Sequence, residues 1–339
     1  MKPVSTRLVV AVALPVVTIV TGVMGASTIA CGAASQTSPE TREPISVEQY
    51  DRWMEELSNW GRWGEDDEIG AANLMTDAKR QQAAALVQSG TTVSLAHDLL
   101  TEGAEDVREP YVLQMTVNPE AQNSGDRVEI YFHGISFSHL DGLCHVFYKD
   151  TLYNGHDFHD VVTDDGCSMM DTTAMKNGLV TRGILVDMPR LKGVPYLEPG
   201  TKLYPEDLEA WEEHAGVRFE PGDALLLRTG RWARRAAVGA GGEMSGWDAT
   251  VMPFMAERDI ALLGADSVHE APDSVPGLGF NPIHRFAIVA RGMNLLDNLD
   301  LEAAAETAAR LNRWEFMLVV APLRVPGGTG SPVNPLAIF

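Results

Sequence analysis

Four short apolar runs constrain the fold of this chain more than any other feature: GILVDM (183–188), DALLLRT (223–229), IALLGAD (260–266) and FMLVVAP (316–322). Each is too short for a buried helix, and most are bounded by charged or turn residues. They read as strands covered on both faces. Helical patterns lie between or beside them. Residues 76–89 start at Thr76, an N-cap residue, and precede Gly90, a C′ residue. Pro205 to Ala215 begins with proline near N1 and ends before Gly216. Leu301 to Asn312 is rich in Ala and Glu. TVSL (92–95) alternates as a further strand, and Arg127 to His139 reads as an extended stretch. Strands and helices in one unbroken series predict a single α/β domain over residues 45–339, with a central sheet and flanking helices.

The first thirty-one residues stand apart. Lys2 and Arg7 form a short basic start, Leu8 to Met24 carries no charge, and small residues follow. That is the pattern of a secretory signal. The run Thr28-Ile29-Ala30-Cys31 resembles a bacterial lipobox, which makes Cys31 a candidate lipidation site; ordinary signal cleavage nearby is the alternative. Residues 32–44 read as a polar tether. The expected location is therefore outside the cytoplasm, in the envelope or secreted, with membrane contact only through this leader. Lys and Arg number 26 against 47 Asp and Glu, a net charge of −21. A field of that sign repels a phosphate backbone and argues against nucleic acid as a partner. Cys144 and Cys167 can pair in an exported protein. The competing reading, preferred on sequence, makes Cys144 a small buried thiol beside reactive neighbours.

Those neighbours are the chemically informative part of the chain. YFHGISFSHLDGLCHVFYKD (131–150) contains His133, His139, Asp141 and His145. In an extended segment His139 and Asp141 share a face, with Cα atoms about 6.6 Å apart. An imidazole and a carboxylate so placed can meet at one divalent ion, and nitrogen with oxygen donors suits Zn²⁺ or Mn²⁺. Gly142 allows a turn that brings His145 back as a general base or acid. In a straight strand His133 would lie about 20 Å from His139. It joins the group only if residues 134–136 bulge or loop. Phe137, Phe147 and Tyr148 are candidates to pack on an aromatic substrate, and His156, with His159, to contact it. Taken singly, His269, Glu270, His284 and Asp297 read as surface or capping residues.

The segment Ser138-His139-Leu140-Asp141-Gly142-Leu143-Cys144-His145 resembles the core of the cyclase family motif, H-x-G-T-H-x-D-x-P-x-H. WGRWGEDDEIGAANLMTDAKR (60–80), TRGILVDMPRLKGVPYLEPG (181–200), PGDALLLRTGRWAR (221–234) and APLRVPGGTGSPVNPLAIF (321–339) also look like this family. It includes bacterial kynurenine formamidases and isatin hydrolases. The resemblance implies a mixed central sheet in a swivelling β/β/α fold and a divalent metal, usually zinc or manganese. It implies His139 and Asp141 as ligands and His145 as proton donor and acceptor. His284 and Asp297 fall near the family's ligands for a second metal. An oligomer and a small aromatic substrate are expected on the same ground. The chain departs from the pattern where the family has its first ligand histidine: Ile135 stands there, and Leu143 replaces the motif proline. The expected activity is metal-dependent hydrolysis of an amide or cyclic amide, as in arylformamidases of tryptophan catabolism. A solute-binding lipoprotein on a degenerate scaffold, or a lyase or cyclase, are the alternatives.

Overall fold

The computed structural model describes residues 42–339. The leader and nearly all of the tether expected at residues 1–44, with Cys31, lie outside the described residues. The unit from Glu43 to Phe339 is one compact body. Its strands in chain order are β1 (Thr92–Ser94), β2 (Val112–Asn118), β3 (Asn123–Glu129), β4 (His139–Asp141), β5 (Leu179–Asp187), β6 (Ala224–Arg228), β7 (Leu262–Ala265), β8 (Asn294–Asp297), β9 (Glu315–Val320), β10 (Gly330–Pro332) and β11 (Leu336–Ile338). Two-residue strand pairs complete the sheet content of the described residues. All but the β2–β3 hairpin join a nine-stranded sheet in the order β1-β11-β9-β5-β6-β7-β8-β4-β10.

The four apolar runs occupy the middle of this sheet, as their composition demands. β5, β6, β7 and β8 run parallel, while β9 joins β5 antiparallel. Every residue of β6, β7 and β8 is buried. Helices cross between the parallel strands, including Pro205–Ala215 before β6 and Arg231–Val238 and Met252–Glu257 before β7. Packing here leaves little slack. A Cβ on Gly264 of β7 would stand 2.3 Å from Leu226 Cδ2 and 3.0 Å from Leu299 Cδ1. The expected mixed sheet with flanking helices is thus present.

Local signals carry over with small shifts. Thr76 caps the helix Asp77–Ala85 by accepting from the Lys79 amide, and that helix stops short of Gly90. Gly216 takes the left-handed conformation that ends Pro205–Ala215. Two expectations fail. The extended stretch 127–139 is broken: β3 ends at Glu129, residues 133–136 form a turn, and β4 begins only at His139. Cys144 is not a free thiol but is disulfide-bonded to Cys167.

That bond joins residues 23 apart in sequence. A loop of this size is worth about 3 kcal/mol in the chain-entropy account. Cys144→Ser/Cys167→Ser is therefore expected to unfold at lower denaturant, by a free energy of about that size, and reductant should do the same to the wild type. Identical denaturation curves with and without reductant would show that the pair does not form.

Candidate metal centre

β4 is three residues long and supplies the centre of the site. It lies between β8 and β10, and its register sets His139 opposite Asp297 and Asp141 opposite Gly330. His139 and Asp141 are both buried. Around the Asp141 carboxylate stand four imidazoles. His133 Nδ1 is 3.2 Å from Oδ1, His139 Nε2 3.4 Å and His145 Nε2 3.8 Å. His284 Nε2 is 3.6 Å from Oδ2.

Three of the four rings are anchored through their other nitrogen. His139 Nδ1 donates to the Phe137 carbonyl at 2.8 Å. His284 Nδ1 donates to Glu270 Oε1 at 2.7 Å, and the His284 amide donates to the same oxygen at 2.8 Å. His133 Nε2 meets Thr329 Oγ1 at 2.9 Å. Such partners fix ring orientation and leave the second nitrogen aimed into the site. His133 reaches it because the 133–136 turn folds the chain back. Gly330 makes room, since a Cβ there would stand 2.7 Å from His133 Cε1. A histidine two residues before Ile135, the residue at the expected ligand position, thereby reaches the Asp141 carboxylate.

The donors form two triads that share Asp141: His133, His139 and Asp141, and Asp141, His284 and Asp297. Within each, one ligand atom per residue lies within 4.8 Å of the others. His133 Nδ1, Asp141 Oδ1 and Asp297 Oδ1 are buried atoms without a hydrogen-bond partner. Buried polar atoms are rarely left so. An N/O donor set with unpartnered atoms facing one another fits a divalent ion.

Sequence reasoning missed two residues of this region. His269 is fully buried, with Nε2 3.1 Å from Asp297 Oδ1. Glu270, also buried, orients His284 as described. Neither is a surface group. Their signal was positional: they follow the carboxyl end of a parallel strand, where open α/β sheets place their ligands. Of the residues expected to contact substrate, Phe137 is fully buried and contributes only its carbonyl to the site. The Tyr148 hydroxyl donates to Asp51 at 2.6 Å, and its ring borders a separate cleft with Met54 and Trp60. His156 is half-buried and outside both triads. Phe147 is exposed and stacks on Phe158 at 4.0 Å.

The electrostatics separate the histidines. Burial opposes charge on His139, yet the Asp141 carboxylate and its hydrogen bond outweigh it and raise the group to about 9. Burial likewise opposes charge on His284, but Glu270 and Asp297 hold it well above its ordinary value. Burial pushes His145 down to about 4, and Asp141 offsets this only in part. Asp141, despite its burial, is held well below the usual carboxylate range by the surrounding imidazoles.

The fold agrees with known proteins. Residues 66–270, more than half of the chain, match the model of the family described as "Putative cyclase". The chain belongs to the cyclase family. A crystal structure described as a novel cyclase is similar at 29% identity, covering 84% of this chain and 99% of that one, with a TM-score of 0.75. Isatin hydrolase A from Labrenzia aggregata, bound to benzyl benzoate, shares the fold at 17% identity, TM-score 0.53, covering 77% of this chain and 98% of its own. Isatin hydrolase A from Ralstonia solanacearum does so at 19%, TM-score 0.51, covering 76% and 95%. No curated protein matches in sequence.

Two outcomes follow from this geometry. His139→Ala and Asp141→Ala should each lose bound metal, measured by elemental analysis of purified protein; full occupancy in both would refute the donor assignment. The second concerns pH. In the metal-free protein the raised His139 contributes stability that is complete below about pH 6.5, the ordinary histidine value, and is lost as pH rises through about 9. Chelated protein should therefore melt at progressively lower temperature from pH 6.5 to 9. Metal binding near neutral pH should release protons and tighten as pH rises. Calorimetry in buffers of different ionisation enthalpy reads that release directly.

Proposed function

We propose that this chain is a metal-dependent hydrolase of an amide or cyclic amide carrying an aromatic group. The observation that carries this reading is the convergence of His133, His139, Asp141, His284 and Asp297, with unpartnered donor atoms, beside a histidine that none of the two triads uses. The family membership and the shared fold of the isatin hydrolases support the choice of reaction. His133, His139 and Asp141 would hold one divalent ion, Zn²⁺ or Mn²⁺, and Asp141, His284 and Asp297 offer a place for a second. When bound, such an ion polarises a carbonyl and makes a water more acidic.

His145 is the proton carrier in this reading. It is part-exposed, its Nε2 points at Asp141, and its depressed basicity keeps it neutral near pH 7. A neutral imidazole there accepts a proton from the attacking water as the new C–O bond forms. It returns that proton to the nitrogen as the C–N bond breaks, so the histidine ends as it began. The disulfide between Cys144 and Cys167 holds the turn that presents this residue, and the His145 amide donates to the Gly142 carbonyl at 3.1 Å. The same disulfide supports an oxidising location and hence export through the leader, by lipid attachment at Cys31 or by plain secretion. A homo-oligomer is part of the same proposal, on the family resemblance alone.

The test is a hydrolysis screen on formylated aryl amines and isatin-like lactams, with and without chelator. Chelator-sensitive turnover is expected; turnover indifferent to chelator and to added Zn²⁺ or Mn²⁺ would refute the metal's part. His145→Ala should retain its metal and lose activity by about 10²–10⁴-fold. Loss of metal in that variant would make His145 a ligand, and full activity would remove it from the mechanism.

A further inference from the structure

We propose that Asn298 is the positioning residue that delivers His133 to Asp141, through the 133–136 turn. The inference rests on the reading of His133 as a metal donor given above.

His133 is not held by a strand. It sits at the start of a turn, and a turn of this kind presents its side chain to one place only if its own backbone is tied down. The ties are few and specific. Asn298 Nδ2 donates to the Gly134 carbonyl at 2.6 Å. Arg231 Nη2 donates to the Ile135 carbonyl at 2.6 Å, and its Nη1 donates to Asn298 Oδ1 at 2.5 Å. Ser136 Oγ donates to the Asp106 carbonyl at 2.8 Å. Asn298 is therefore the hinge of the set, since it accepts from Arg231 and donates to the turn with one amide. It is fully buried, so water does not replace either bond without a cavity.

Asn298 is also placed to couple this turn to the rest of the site. It follows Asp297 directly. Its carbonyl accepts from Ser138 Oγ at 2.7 Å, one residue before His139, and its amide donates to the Ser267 carbonyl at 3.1 Å. The chain next to His133, His139 and Asp297 thus meets at one residue. Its backbone is left-handed, with φ of 54°. Asparagine, aspartate and glycine take that conformation readily and other residues do so at a cost. The links to Gly134 and to Arg231, which itself holds Ile135 of the turn, pass through the side chain; those to Ser138 and Ser267 use the Asn298 backbone. Replacing the side chain with one that tolerates the same φ therefore isolates the His133 branch.

The experiment is a double-mutant cycle read as Zn²⁺ affinity, by competition with a chromophoric chelator, and as the d–d absorption of the Co²⁺-loaded protein. The proteins are wild type, Asn298→Gly, His133→Ala and the double variant. Loss of an orienting partner should weaken the tighter Zn²⁺ site by about 10–100-fold in Asn298→Gly and shift the Co²⁺ spectrum towards that of His133→Ala. In the His133→Ala background the same change should alter affinity by less than about two-fold, because its target is gone. An equal loss in both backgrounds, or no loss in Asn298→Gly alone, would overturn the positioning role while leaving His133 a donor. Unchanged Zn²⁺ binding in His133→Ala would overturn the donor reading itself, and the proposal with it. Should Asn298→Gly not fold, Asn298→Asp keeps the shape and the Arg231 contact but sets an acceptor against the Gly134 carbonyl, and it is held to the same criteria.

Discussion

A fully buried carboxylate at the end of a three-residue strand organises this molecule. Among the described residues the cationic partners of Asp141 are histidines, and a charge in such a place is sustained only by close partners. The surrounding structure reads as the means of supplying them. β4 is pinned on both edges, by β8 and by β10, so the carboxylate cannot drift. The pairing with β8 sets His139 across from Asp297, and the pairing with β10 brings Gly330, whose missing side chain leaves room for the His133 ring. Each anchored histidine then owes its direction to a group outside the cluster: the Phe137 carbonyl, Thr329 or Glu270.

The parallel core contributes at a distance. Asp266, just beyond β7, accepts from the Thr229 amide and hydroxyl and from the Gly230 and Arg231 amides. That carboxylate fixes the start of the helix Arg231–Val238, and with it the arginine that reaches Ile135 and Asn298. Rigid apolar strands thus position a loop through a short polar relay. The arrangement follows a general tendency: precise sites on loops depend on regular elements behind them.

Much of this was legible from sequence because apolar runs and caps are local. β5, β6, β7 and β9 announce themselves by composition, and Thr76 and Gly216 by the backbone geometry each favours. His139, Asp141 and His145 were visible because two of them share a strand face and a glycine permits the turn. His269 and Glu270 were not, since their roles come from the partners that the sheet brings to them, Asp297 and His284, which are 28 and 14 residues away in sequence. The pairing of Cys144 with Cys167 was open in the sequence, and only the fold decides it against a free thiol. For Phe137, core packing was the favoured reading beside substrate contact, and its full burial agrees with it. The break after Glu129 was missed because the β2–β3 hairpin, which lies apart from the large sheet, has no apolar signature as strong as the core strands.

His133 shows what a candidate metal site requires of a sequence. What matters is where a nitrogen lone pair arrives, not the residue number that brings it. A strand continuing straight back from His139 would carry His133 out of reach. A turn shortens the path, and the ring then stacks on His145 at 3.9 Å, with planes 5° apart. That stacking has an electrostatic consequence. A charged His133 would oppose protonation of His145, and the same holds for His139 and His284. A carboxylate shared among several imidazoles therefore does not treat them alike. The enclosed, anchored rings His139 and His284 take raised basicity, while the part-exposed, unanchored His145 is left neutral. A ring held neutral is the one that can accept and return a proton, so the proposed division between ligand and base has a physical ground in burial and anchoring around one aspartate.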